Sequence, residues 1–109
     1  MNTLTAETQA TRAQTVTVTA DSLVVDLTDG RTVSVPLAWF PRLLQGTPQE
    51  RAQWRLIGNG QGIHWPALDE DISVANLLAG QRSGESQSSF KRWLEKRQTP
   101  RKKNNHGSH

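Results

Sequence analysis

Leu23-Val24-Val25-Asp26-Leu27-Thr28-Asp29-Gly30-Arg31-Thr32-Val33-Ser34-Val35-Pro36-Leu37 decides the fold. Apolar residues alternate at 23, 25 and 27 and again at 33, 35 and 37, so each run has one face for a core. Directly paired residues of a hairpin must share a face. A two-residue Asp29-Gly30 turn would pair Leu27 with Thr32 and mix the faces. A three-residue loop, Thr28-Asp29-Gly30, pairs Leu27 with Arg31, Val25 with Val33 and Leu23 with Val35. The parity therefore selects a type I turn with Gly30 left-handed at a bulge.

Upstream, Val16, Val18 and Ala20 alternate with Thr15, Thr17 and Thr19. The run predicts a first strand, joined by a two-residue Asp21-Ser22 loop that pairs Ala20 with Leu23 and Val18 with Val25. The result is an antiparallel three-stranded meander from Gln14 to Leu37. One face is apolar, and the other carries Thr15, Thr17, Thr19, Asp26, Thr32 and Ser34.

Downstream the period changes. Pro36 to Gln45 reads as a short helix with Leu37, Phe40, Leu43 and Leu44 on one side, and Pro41 must lie in its first turn or bend it. Thr47-Pro48-Gln49-Glu50 is a capping box with proline at the first helical position, opening a helix to about Trp54. Leu56-Ile57 and Ile63-His64-Trp65 read as a fourth strand interrupted by Gly58-Asn59-Gly60-Gln61-Gly62, which is a bulge, a turn or a flat glycine strand. Asp69-Glu70-Asp71 precedes a helix over Ile72–Gly80, with Ser73 as N-cap and Gly80 as its stop. Glu85 to Gln98 forms a last helix, with Phe90, Trp93 and Leu94 on one face and Pro100 ending it.

The fold class expected is α+β: a small antiparallel sheet, the meander plus a fourth strand, packed by short helices. The organisation expected is a disordered segment over 1–13, a domain over 14–82, a basic amphipathic helix over 83–98 and a disordered tail over 99–109.

The chain has 109 residues with 34% hydrophobic residues, no Cys, no Tyr, two Phe and four Trp. About 80–90 residues can be ordered, which leaves no room for a two-domain nucleotide enzyme, and such a domain buries only about 60–65% of its unfolded surface. Without Cys there is no disulfide, thiolate metal site or Cys nucleophile. No apolar run approaches the roughly 20 residues a membrane helix needs. The opening residues do not read as a secretory signal, which makes the cytoplasm the expected location.

The net charge of +3 hides an asymmetry. Residues 91–109 hold Lys91, Arg92, Lys96, Arg97, Arg101, Lys102 and Lys103 against Glu95 alone, a net +6. Residues 1–90 hold six Arg and nine acids, a net −3. The high pI therefore belongs to a basic arm on a mildly acidic body. Such an arm is either a solvated tail or a surface for phosphates or an acidic protein.

Across the body, the order Asp29-Gly30-Arg31-Thr32-Val33-Ser34-Val35-Pro36-Leu37, Trp39-Phe40-Pro41-Arg42-Leu43, Glu50-Arg51, Trp54, Gly60, Gly62-Ile63-His64-Trp65-Pro66, Leu68-Asp69-Glu70-Asp71-Ile72-Ser73-Val74 and Leu77-Leu78-Gly80 resembles the bacterial family called domain of unknown function 2442. The pattern covers about residues 14–82. The resemblance implies a small α+β domain with an antiparallel sheet packed by helices. It also implies a stand-alone bacterial or phage protein, in some members proposed as the antitoxin-like half of a toxin–antitoxin pair. Longer members carry a helix-turn-helix domain after the shared region. Here about 29 residues follow Gly80, too few for one, and a single basic helix stands in its place.

Each chemical motif has a bland reading beside a functional one. Gly58-x-Gly60-x-Gly62 leads into a strand rather than a helix and has no Lys nearby, so it reads as a turn and not as a phosphate cradle. His64 has acids close in sequence but no marked nucleophile, which favours a structural role over general-base work. Asp69, Glu70 and Asp71 suit a helix N-terminus and, failing that, a partner's Arg or Lys. Trp39, Phe40 and Arg42 are either core or an interface hot spot. Phe90 and Trp93 either pack on the sheet or enter a partner's groove.

These readings lead to a non-enzymatic module that binds a partner protein through Trp39, Phe40, Arg42, Asp69, Glu70, Asp71, Phe90 and Trp93, as an antitoxin-like regulator or a phage-encoded inhibitor. The alternative is nucleic-acid binding through Lys91, Arg92, Lys96, Arg97, Arg101, Lys102 and Lys103. No catalytic residue, metal or cofactor is expected, and the chain is either a monomer or a homodimer.

Overall fold

Two three-stranded antiparallel sheets and four short or single helices make up the fold of the computed structural model, which describes residues 11–107, with side chains through Arg97. The expectations for residues 1–10 and 108–109 lie outside the described residues. The α+β class expected from the sequence is what the chain adopts.

The first sheet has the order β1 (Ala13–Val18), β2 (Ser22–Leu27), β3 (Thr32–Pro36). Its second hairpin has the expected register, Val25 opposite Val33 and Leu23 opposite Val35. The Leu27 N–H donates to the Arg31 carbonyl at 2.8 Å, and Gly30 takes φ +94° in the loop. The first hairpin is longer than expected. Val18 pairs with Leu23 and Val16 with Val25, which leaves Ala20 in a four-residue loop. The Thr19 hydroxyl sets that loop by accepting from the Ser22 N–H at 2.9 Å. Slipping one strand by two residues keeps the parity, so the valines still share the core face. A bulge between Ala13 and Thr15 then brings Ala13 opposite Leu27.

The second sheet corrects the interrupted fourth strand. The glycine run is a hairpin loop between β4 (Arg55–Ile57) and β5 (Gly62–Trp65), with Ile57 opposite Gly62. Gly60 adopts φ +91°, and a Cβ there would lie 2.9 Å from the Arg12 Cβ, so the loop also presses against the start of the first sheet. Glu70–Ser73 is not a helix start but β6, antiparallel to β5, with Trp65 opposite Glu70 and His64 opposite Asp71.

Four α-helices complete the described residues. The expected helix over 36–45 is a 3₁₀ turn, Leu37–Trp39, followed by α1 (Pro41–Leu44), with Pro41 in the first turn. α2 (Pro48–Ala52) has both hydrogen bonds of the Thr47/Glu50 capping box and stops short of Trp54. α3 (Val74–Leu78) is capped by Ser73, and Gly80 follows at φ +74°. α4 (Gln87–Gly107) starts where the Ser86 hydroxyl accepts from the Ser89 N–H at 3.1 Å. It passes through Pro100 instead of ending there, with one hydrogen bond missing from the ladder because proline has no N–H. Helical backbone thus replaces the expected tail as far as Gly107.

A single core joins the two sheets. Leu23, Val25, Leu27, Val35, Leu37, Phe40 and Leu43 meet Ile63, Trp65, Leu68, Ile72, Val74 and Leu77. Trp65 is fully buried and donates its indole N–H to the Arg51 carbonyl at 3.0 Å, which removes the cost of burying that donor. No helix among the described residues is long and apolar enough to cross a membrane.

Candidate partner-binding site

Arg42 is the centre of the most structured polar cluster. α1 is too short to have much stability of its own, but Leu43 is fully buried and anchors it. That leaves Arg42 beside the edge of the second sheet, with its side chain only 15% exposed. Its Nε donates to Glu85 Oε1 at 2.9 Å, and its Nη2 meets Glu85 Oε2 at 2.5 Å. Its Nη1 donates to the Asp69 carbonyl at 2.8 Å and lies 3.4 Å from Asp69 Oδ2. Asp69 can present its carbonyl this way because it sits at φ +52° in the β5–β6 loop.

The same guanidinium lies 5.1 Å from the centre of the Trp93 ring. Arg97 lies 5.0 Å from that centre, so two cations address one indole. Arg97 also donates to Glu50 at 3.0 and 3.2 Å, which ties α4 to the capping box of α2. Phe90 stacks on Trp93 with ring centres 5.7 Å apart. Ser89 donates to Glu85 Oε2 at 2.7 Å. A cleft of about 250 Å³ remains between α1 and α4, lined by Arg42, Asp69, Ser89, Arg92, Trp93 and Lys96.

Electrostatics follow this geometry. The hydrogen-bonded Arg42 guanidinium holds the Glu85 carboxyl below its ordinary range against the opposing effect of burial. Arg97 does the same for Glu50. Glu70 goes the other way. It shares the Trp65 and Ile72 face of the sheet, so burial pushes its carboxyl up to about 7. Arg42 opposes that rise, while Glu85, Asp71 and Asp69 add to it.

The residues expected to bind a partner are thus dispersed. Arg42, Asp69, Glu70, Phe90 and Trp93 gather around one junction. Phe40 is 4% exposed and belongs to the core, out of a partner's reach. Trp39 is half-buried, with Arg82 5.0 Å over its ring. Asp71 points to the opposite face of β6 and contacts His64 Nδ1 there. His64 therefore has an orienting carboxylate, half of a general-base arrangement. Lys91, Arg92 and Lys96 are exposed on α4, Arg92 and Lys96 at the rim of the cleft between α1 and α4, whereas Arg97 is half-buried and paired. The side chains of Arg101, Lys102 and Lys103 lie outside the described residues.

Sequence reasoning missed Glu85, Ser89 and Glu50 as part of this junction. The signal available was their spacing: Ser89, Trp93 and Arg97 recur every four residues on one helical stripe, and Glu85 precedes the helix at the same interval. It also missed an open groove of about 590 Å³ beside α3, lined by Gln61, Val74, Ala75, Leu78 and Ala79 among others.

No curated protein matches this chain. Two solved structures share its fold. A protein of unknown function from Rhodospirillum rubrum ATCC 11170 is 27% identical, with a TM-score of 0.60, over 69% of this chain and 93% of that one. An uncharacterised protein from Chromobacterium violaceum is 19% identical, with a TM-score of 0.62, over 74% of this chain and 76% of that one. A family profile matches residues 13–83, almost the whole two-sheet body. The chain belongs to that family, described as protein of unknown function (DUF2442).

Proposed function

We propose that this chain is a non-enzymatic module of the cytoplasm that binds a partner protein, as an antitoxin-like regulator or an inhibitor of that partner. The observation that carries this reading is the Arg42–Trp93–Arg97 stack. Tryptophan and arginine packed in a partly desolvated junction are the residue types that dominate protein-interface energetics. The body uses them here to hold an amphipathic helix, which is a common form of protein recognition. The junction has the composition of a binding surface.

The test is retrieval of the tagged chain from its native cell, with nuclease, at low and high salt. A single protein retained in stoichiometric amount, and rebinding the purified chain, is the expected result. In the antitoxin-like form of the reading, co-expression also relieves growth arrest caused by that protein. The assembly counted on each side, one copy or two, follows from the mass of the purified complex.

One observation favours a second reading. Lys91, Arg92 and Lys96 stand exposed on α4, where a phosphate backbone could lie. If nuclease empties the retrieved material and binding falls steeply with salt, nucleic acid is the partner. Removing residues 91–109 then abolishes it.

A further inference from the structure

The body grips α4 in a way that its own core does not require. Every buried apolar residue among the described residues lies between Ala13 and Leu77, and α4 adds none. The family match ends at residue 83, before α4 begins. The two anchors on the body, Arg42 and Glu50, lie inside the match. Trp93 packs only partly buried against the core.

We propose that Arg42 and Glu50 form the two ends of a seat for an amphipathic helix of a partner protein, and that α4 occupies this seat as an internal ligand. The proposal rests on the partner-binding reading above and names its surface and the partner's chemistry.

The occupant shows what the seat selects. Ser89, Trp93 and Arg97 form one stripe of α4 at four-residue intervals, and Glu85, just before the helix, continues the same spacing. Glu85 takes the fork of Arg42, and Ser89 braces that carboxylate. Both guanidinium groups lie close to the Trp93 ring, and Arg97 reaches Glu50. The anchors have opposite charges, so the seat also fixes direction. The acid must lie at the N-terminal end of the helix and the cation about three turns later, the polarity a helix dipole favours. The partner's helix therefore carries an acidic residue, a large aromatic two steps of the stripe later and an arginine one step after that, in that order. It enters when α4 leaves.

The test uses a fluorescent peptide with the sequence of residues 84–98 and the full-length protein. In the wild type α4 blocks the seat, and apparent affinity is reduced by the fraction of open molecules. A Trp93→Ala/Arg97→Ala protein has a weakened internal ligand and is expected to bind the peptide about tenfold more tightly than wild type. Adding Arg42→Ala to that protein is expected to abolish the gain, and a peptide carrying Trp93→Ala is expected not to bind.

A Glu85→Gln/Arg97→Gln protein, which loses no apolar surface, is run in parallel, and amide dispersion confirms that each protein is folded. Equal binding by wild type and both folded variants, no binding by either variant, or binding that survives Arg42→Ala overturns the seat. The probe is this chain's own helix, so such a failure does not touch the retrieval experiment, which judges the partner-binding reading separately.

Discussion

Arg42 and Glu85 are 43 residues apart in sequence and meet fork to fork, with contacts of 2.9, 3.1 and 2.5 Å and side chains 15% and 12% exposed. A half-buried bidentate pair is stronger than a surface ion pair, because less solvent screens it and its geometry is set by packing. It joins the family body to the residues that follow it. Removing one partner leaves the other charge poorly solvated. Arg42→Ala is expected to destabilise the protein by about 1–3 kcal/mol in urea unfolding. A double-mutant cycle with Glu85→Ala should return a coupling of about 1 kcal/mol or more. Additive losses would mean that the pair is not coupled.

Glu70 makes stability fall as pH rises. Its carboxyl is pushed from the usual 4.5 to about 7 by burial on the Trp65 face. Below pH 4.5 the group is protonated in both states. Between 4.5 and 7 the folded state keeps a proton that the unfolded state has released, so stability declines through that window and levels off above it. Glu70→Gln should flatten this decline and raise stability at pH 8 by about 1–2 kcal/mol, the full shift being reduced by partial exposure. Chemical denaturation at a series of pH values measures it. An unchanged slope between pH 4.5 and 7 would show that the ionised group is accommodated.

Glu50 and Glu85 give the opposite limb. Both are held below the ordinary carboxylate range by arginines. Their contribution is present above about pH 4.5 and is lost as acidification carries the pH through their lowered values. Thermal unfolding should therefore move to lower temperature on the acid side of pH 4.5. In Glu85→Gln that acid dependence should weaken. The signal to follow is Trp93 fluorescence, because its ring lies against the paired arginines.

Two glycines separate backbone strain from steric collision. Gly30 has φ +94° with open space where a Cβ would stand, and Gly60 has φ +91° with the Arg12 Cβ 2.9 Å and the Ala13 carbonyl 3.2 Å from where its Cβ would stand. Gly30→Ala is expected to cost about 1 kcal/mol, the left-handed backbone alone. Gly60→Ala should cost more, about 2–3 kcal/mol, since the loop must also move off β1. Equal losses at the two sites would mean that the β4–β5 loop yields without disturbing the first sheet.

Removing the caps tests how far local rules act alone. Thr47 and Glu50 satisfy each other's backbone donors at 3.1 and 2.9 Å. Thr47→Ala should cost about 1 kcal/mol. Glu50→Ala should cost more than the lost cap, because Arg97 then loses its partner as well. Loss of α4 docking, read by Trp93 fluorescence, is expected only in the Glu50 variant.

The sequence by itself determined what short-range physics controls. Alternation and parity set the Val25–Val33 and Leu23–Val35 pairs, since a slip of one residue would turn the apolar face to water. The capping box and the Ser73 cap follow from hydrogen-bond reach over four residues or fewer. Tertiary structure decided the rest. Asp69, Glu70 and Asp71 have low strand propensity and read as a helix start, yet β5 offers Glu70–Ser73 an open ladder of backbone partners, and the buried Ile72 holds them there. Alternation along β6 then turns Glu70 toward Trp65 and Asp71 toward His64. Arg42 meets Glu85, and Arg97 meets Glu50, only because packing brings distant segments together. No local pattern records those distances, since ion pairing depends on separation in space and on exclusion of solvent, and both are properties of the folded chain.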